Sequence, residues 1–379
     1  MLAAACALAG VSAGAAPGSA RHLPNWAAPQ ISAVVAHGLM AKSVKNFRPN
    51  DALTQQTLAN LSSGLQAQLA TPTDPPDPTD VPPATTDPGT TTTGPGTTTG
   101  GTTTGGTTTP VTPDPNKPMT MAALDHRLVT MLGLKKAANE FTRGAKAAGI
   151  SVPGRFGTEV VARLLGLRTN HPAAQDFLEL RPQDPATRAE AAYSAAQILD
   201  FGLLSDSWQV AQVNALADAF TLPTLNDWQR QILAVAFSKI GMPYVWGGTS
   251  DTTEVDFGVT ARGGYDCSGF VWRVFKLQSY ADEGNLASTI LGRTTYTMSV
   301  EVPNSKRISF QKLQPADVIF FGTKGSKSTG SQVFHTAIYA GNGWFIQSSG
   351  EGVALAQLSD WYQKKFAWGR RPLHEAGLE

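Results

Sequence analysis

The sequence predicts an α+β domain at its C-terminal end, an all-α module before it, and a disordered tether inside that module, and three patterns carry this reading. Residues 71–118 hold almost nothing but Thr, Pro, Gly and Asp, with no aromatic residue. Such a stretch cannot bury enough apolar surface to offset the entropy of ordering it. On both sides of it apolar residues recur at helical spacing, first as Trp26, Ile31, Val34, Val35 and Leu39, then as Leu53, Leu58, Leu61 and Leu65. Beyond residue 226 a helical stretch is followed by period-two alternation, in which His335, Ala337 and Tyr339 point one way and Phe334, Thr336 and Ile338 the other.

The chain opens on a run of small and apolar residues from Leu2 to Ala16, with Ala13-Gly14-Ala15 suited to cleavage, so residues 1–15 are expected to be a signal peptide. Met1 is followed directly by apolar residues, without the usual basic stretch, and Ala3-Ala4-Ala5-Cys6 is a poor lipidation signal. No later run approaches the roughly 18 consecutive apolar residues of a membrane span. The chain has two cysteines. Loss of Cys6 with the signal leaves Cys267 as a single thiol in an exported protein, where an unpaired thiol calls for a role.

Residues 24–70 read as two helices around the turn Phe47-Arg48-Pro49-Asn50-Asp51, with Asn50 or Asp51 able to cap the second. As a Gly-rich coil, the 71–118 tether spans roughly 40 Å, and its threonines are open to O-glycosylation. In residues 119–222, Leu132-Gly133-Leu134 recurs as Leu165-Gly166-Leu167, which is repeat-like spacing. Asn226 to Ile240 is a further helix, closed by Gly241 and Pro243, and opens the last domain at 226–373. A net charge of +1 argues against a nucleic-acid partner. No metal-ligand spacing and no phosphate-cradling glycine motif is present, so no cofactor and no metal are expected.

Cys267 stands between a glycine-rich loop and a stretch in which Phe270, Val271, Val274 and Phe275 give one apolar face. A helix over Ser268–Gln278 packed on a sheet would put Cys267 at its N-terminal end, where the helix dipole favours thiolate. The thiol also needs a proton acceptor, for which histidine is suited near neutral pH. Of six histidines, His22 and His37 precede the tether, His126 and His171 fall in the helical module, and His374 lies in the tail. His335, on the alternating strand, is the remaining candidate.

Four ordered blocks now show a resemblance. Gly241-Met242-Pro243-Tyr244-Val245-Trp246-Gly247-Gly248, Asp266-Cys267-Ser268-Gly269-Phe270-Val271, Asp317-Val318-Ile319-Phe320-Phe321 and His335-Thr336-Ala337-Ile338-Tyr339-Ala340-Gly341 resemble the NlpC/P60 family, papain-like cysteine peptidases of bacterial cell walls. The resemblance implies Cys267 as nucleophile, His335 as base, and Gln347 as the orienting residue, in a position where the family more often has histidine. It implies Tyr244 as an oxyanion donor, and Asp266 and Ser268 as the amine-binding pair of a peptide stem. A helix-capping role suits Asp266 equally well. The segment Thr249 to Gly263 is longer than the family's usual connection, as a lid over the cleft or as a plain surface loop.

The helical module is similar to S-layer homology repeats. Ala186-Thr187-Arg188-Ala189-Glu190 fits the family's helix start, while Leu53-Thr54-Gln55-Gln56 and Met119-Thr120-Met121-Ala122 lack its arginine. Wall-polysaccharide binding through these repeats is one expectation; a structural bundle, with Arg188 paired to Glu190 or a neighbour, is the other. Together the resemblances imply a secreted, extracellular or wall-associated peptidoglycan hydrolase that cuts the γ-D-glutamyl–diamino acid bond of stem peptides. The alternatives are an N-acetylmuramoyl-L-alanine amidase, a wall-anchoring protein with a decayed peptidase domain, and acyl transfer on a related fold.

Overall fold

The computed structural model describes residues 26–70, 114–200, 208–256 and 259–379. The expected signal peptide, Cys6, His22 and residues 71–113 of the tether lie outside the described residues.

The helical module is organised by three interlocking helix starts. After α1 (Ala28–Ala36), the helices α2 (Gln55–Ala70), α3 (Met121–Met131) and α6 (Arg188–Asp200) each follow a threonine. Thr54, Thr120 and Thr187 each accept from the amide three residues on, at 3.2 Å, which caps each helix. The residues just before them bond in a ring, Leu53 N–H to Ala186 O, Ala186 N–H to Met119 O and Met119 N–H to Leu53 O, each at 2.8 Å. The next orphan amides are met by a neighbouring repeat, Gln55 donating to Lys117 O, Met121 to Asp184 O and Arg188 to Asp51 O. Pro115 and Lys117, within the expected tether, accept from Gln56 and Gln55 N–H and so pack on the start of α2.

The repeated Leu-Gly-Leu has a geometric cause. Gly133 and Gly166 adopt positive φ, 74° and 64°, at the ends of α3 and α5 (Phe156–Leu164), so that Leu134 and Leu167 turn back to donate to Val129 O and Ala162 O. This left-handed stop favours glycine. The intervening α4 (Lys135–Ala147) and the later α7 (Trp208–Ala219) complete the module.

The C-terminal domain begins with α8 (Asp227–Ser238), started by a capping box between Asn226 and Gln229. Four short strands follow, β1 (Thr249–Ser250), β2 (Glu254–Asp256), β3 (Val259–Ala261) and β4 (Gly264–Tyr265). α9 (Cys267–Trp272) runs into a π-helical turn at Arg273–Leu277, where a regular helix to Gln278 was expected. The short helices α10 (Leu286–Thr289) and α11 (Thr295–Val300) lead to β5 (Val318–Gly322), β6 (Val333–Gly341), β7 (Trp344–Ser349) and β8 (Gly352–Gln357). α12 (Asp360–Lys365), β9 (Phe366–Arg370) and α13 (Pro372–Glu375) end the chain.

Strands β5 to β9 form one antiparallel sheet in the order β8-β7-β6-β5-β9, which gives the expected α+β class and puts the His335 strand at the centre. Pleating separates its two faces. Val318, Phe320, Ile338 and Ile346 share a core with Phe270, Val271, Val274 and Phe275 of the α9 segment. Ile319, Phe321, Ala337 and Phe345 pack on the other side with Phe366 and Tyr362.

The helical module is packed directly on this domain. Trp344 of β7 sits edge-on to Phe141 and Phe220, with ring centroids 6.0 and 5.1 Å away, and Phe156 meets Phe237 at 5.3 Å. Arg163 of α5 donates to the carbonyls of Gly241 and Glu351. The described residues of the 249–263 segment include short paired strands, with Arg181 Nη1 donating to Asp251 O at 3.2 Å and Tyr265 Oη to Asp251 Oδ1 at 2.6 Å.

Candidate active site

Cys267 opens α9 because Asp266 caps it, its carboxylate accepting from Gly269 N–H. The glycine two residues after Cys267 is required by close approach. A Cβ on Gly269 would lie 1.9 Å from Gly248 O, so only hydrogen lets the helix start seat against the 241–248 loop. Tyr244 forms a parallel bridge with Tyr265, with Val245 N–H donating to Tyr265 O and Tyr265 N–H to Pro243 O. The loop bearing Tyr244 is thereby held two residues upstream of Cys267.

The sulfur of Cys267 lies 3.3 Å from Thr295 Oγ1 of α11 and receives the backbone N–H groups of Ser268 and Thr336. Thr336 follows His335 on β6, so the thiol lies against the strand at the histidine's neighbour. His335 is 8% exposed, stacks on Phe321 and bonds through Nε2 to Gln347 Oε1 at 2.8 Å. Gln347 Nε2 donates to the Tyr362 hydroxyl at 2.7 Å. With the amide N–H committed to Tyr362, the amide oxygen faces the imidazole, so His335 Nε2 carries the proton and Nδ1 holds the free lone pair.

Burial pushes the Cys267 thiol up to about 12, with the Asp266 carboxylate adding to it and Thr295 and the two amides opposing. Burial pushes His335 down to about 4, and the Gln347 hydrogen bond only partly offsets this. Burial thus disfavours the charged form of both the thiol and the imidazole. The helix-start argument for thiolate is outweighed by desolvation.

Asp266 and Ser268 sit in a network of their own. Asp266 accepts from Gly247 N–H at 3.0 Å and Ser268 Oγ at 2.9 Å, while Arg293 donates to both Asp266 oxygens at 3.2 Å, to Ser268 Oγ at 2.9 Å and to Gly247 O. Arg293 thus ties the cap of α9 to the Tyr244 loop. A further tie comes from the helical module, where Asp176 Oδ2 accepts Trp246 N–H at 2.9 Å. Arg293, Thr295, Tyr362 and Asp176 carried no sequence signal, since each reaches the site through chain-distant packing.

Arg188, the one arginine retained at the three helix starts, donates to Phe47 O at 2.8 Å and Met40 O at 2.7 Å and lies over the Phe47 ring. It is not paired with Glu190, which is buried. Met40, Lys42, Asn60 and Arg188 line a cavity of about 580 Å³.

Residues 241–371 match the sequence model of the NlpC/P60 family, and residues 20–59 that of the S-layer homology domain. The chain is 32% identical over 136 residues to the murein DD-endopeptidase MepH of Escherichia coli K12, covering 35% of this chain and 42% of that one. It is 30% identical over 137 residues to the probable peptidoglycan endopeptidase LytE of Bacillus subtilis 168, covering 35% of this chain and 31% of that one. The matched part thus spans less than half the length of either relative. A solved NlpC/P60 family protein from Bacillus cereus ATCC 10987 is 26% identical, covers 40% of this chain and 42% of its own, and superposes with a TM-score of 0.29. Over residues 241–371 the chain thus carries an NlpC/P60 family match, preceded by an S-layer homology match at 20–59.

Proposed function

We propose that the chain is a cell-wall peptidoglycan hydrolase that cuts stem peptides through a cysteine thioester, with the γ-D-glutamyl–diamino acid bond as its target. The observation that carries this reading is the chain of contacts from the Tyr362 hydroxyl through Gln347 to His335, on the strand whose next residue meets the Cys267 sulfur. The family match supports peptidoglycan as substrate, and the S-layer homology match supports residence at the wall. Export by the signal peptide belongs to the same reading. Among the described residues no helix is long and apolar enough to cross a membrane.

In this mechanism His335 Nδ1 takes the thiol proton as sulfur attacks the peptide carbonyl, so charge separates only during attack. Cys267 N–H and the Tyr244 hydroxyl receive the oxyanion. The tetrahedral adduct collapses as His335 returns the proton to the leaving amine, the C–N bond breaks and a thioester remains. Water, deprotonated by His335, then releases the acid and restores the thiol. Asp266 and Ser268 fix the helix start, and they hold a substrate amine only when it displaces Arg293.

Digestion of purified peptidoglycan, followed by mass spectrometry of the products, tests the reading. The native chain should release γ-D-glutamyl-cleaved fragments and Cys267→Ala should release none. Products cut at the muramoyl–L-alanine bond, or at the D,D-bond named for MepH, would replace the assigned bond while keeping the mechanism. A non-catalytic wall-binding role is the alternative outcome of the same assay. Binding of peptidoglycan without any product from the native chain would establish that role instead.

A further inference from the structure

A second cavity, of about 820 Å³, opens beside β9 and α12, and none of Cys267, His335 or Gln347 lines it. Its size falls within the range of small-ligand sites. Arg307, Lys324, Lys327 and Lys364 contribute to its wall, and no Asp or Glu among the described residues does. With a net charge of only +1 over the chain, these four cations are a local concentration. The Arg307 guanidinium lies 3.5 Å above the centre of the Trp368 ring, which is 3% exposed. Both Arg307 Nε and Trp368 Nε1 are buried without an acceptor.

We propose that this cavity binds an anionic saccharide chain. The four cations meet its phosphate or carboxylate groups. Ser309 and Gln363, which also line the cavity, suit its hydroxyls. The choice of a saccharide rests on the wall-hydrolase reading; the choice of an anion rests on the cavity alone. Bound there, the polymer would keep the domain on its substrate between cleavages, since the site shares α12 with Tyr362 of the His335 relay.

The test uses the full chain carrying Cys267→Ala, so that binding is read without turnover. Calorimetric titration is performed with two probes, phosphate-linked hexosamine oligomers and peptide-free glycan strands bearing lactyl carboxylates. Saturable binding of either probe, weakened at least tenfold by the double change Lys324→Glu and Lys327→Glu and by added salt, is expected. Which probe binds identifies the anion. Absence of saturable binding to both, or equal binding by the charge-reversed chain, overturns the proposal. Lys364→Glu, at an exposed residue of the cavity wall, is the second variant and should weaken binding while melting at the native temperature. With Cys267 intact, the double variant should cleave a soluble stem peptide at the native rate and release less from intact wall. If neither chain cleaves the soluble peptide, the hydrolase reading fails while the binding result stands.

Discussion

In the helical module Asp125, Glu159, Arg163, Arg168, Glu179 and Glu190 are each at most 6% exposed, yet they lie within reach of one another's charge. Arg168 Nη1 stands 3.8 Å from Asp125, Arg163 Nη2 3.6 Å from Glu159, and His171 Nδ1 3.1 Å from Glu179. Around Cys267 and His335 the neighbours are mostly uncharged, Phe321 and Gln347 at the imidazole and Thr295 at the thiol, and the one charge acting on both is the Asp266 carboxylate, itself paired with Arg293. In the first region buried arginines oppose the rise that burial imposes on Asp125 and Glu190. In the second, desolvation disfavours charge on both thiol and imidazole. Burial alone thus does not decide whether a group ionises; the company it keeps does.

Variants that separate the two regions sharpen this contrast. The largest effect is expected at the site, where Cys267→Ala should abolish product and His335→Ala should lower kcat/KM by about 10²–10⁴-fold. Melting temperature should hardly change in Cys267→Ala and should fall in His335→Ala, which leaves a cavity beside Phe321 and an unpaired Gln347 oxygen, and calorimetry beside the muropeptide assay checks both.

The reverse pattern is expected for Arg168→Met. Its loss leaves Asp125 and Glu190 without their main counter-charge and should cost about 3–5 kcal/mol in denaturant unfolding. The cleavage rate of the surviving folded fraction should be unchanged. A variant as stable as the native chain would show that the buried charges were already neutral.

The two regions should also answer pH with opposite sign. His335 is held below its ordinary 6.5, at about 4, so its contribution to stability is present above 6.5 and is lost as pH falls toward 4. Asp125 is raised by burial, first of all, to about 7, so its contribution is present below 3.8 and is lost as pH rises through 7. Each amounts to a few kcal/mol at most. Unfolding curves of His335→Gln and Asp125→Asn between pH 4 and 8 should remove the two slopes separately, and parallel curves would contradict the assignment.

The smallest effect concerns orientation. Tyr362→Phe removes the hydroxyl that fixes the Gln347 amide and should lower kcat by about tenfold with KM unchanged, the equivalent of one lost hydrogen bond. Gln347→His in the same background should restore part of it, because an imidazole can orient His335 without Tyr362. A KM change in place of a kcat change would give Tyr362 a binding role.

Legibility of these features in the sequence followed the range of the interactions involved. The amphipathic stretch after Cys267, the alternation around His335 and the Leu-Gly-Leu stops are local patterns, and the α+β class follows from them. The π turn at Arg273–Leu277 departs from the helix expected there, since it reflects how the segment packs rather than its periodicity. Gln347 was visible only through its block, and Tyr362, Thr295 and Arg293 were not visible, because a residue that closes a network from a distant segment leaves no local spacing to read. The neutral state of the thiol was missed for a related reason. A helix start predicts charge stabilisation, but the depth of burial that overrides it is a property of the assembled fold.

The central claim is that Cys267 and His335 rest as a neutral pair and exchange the proton only during attack. The rate of Cys267 alkylation by iodoacetamide, measured on the full chain from pH 5 to 10, tests this most directly. The account predicts a rate below that of a free thiol at pH 7, still rising at pH 10, and little changed by His335→Ala. A fast plateau from pH 5 to 8 that disappears in His335→Ala would reveal a preformed thiolate–imidazolium pair and contradict it.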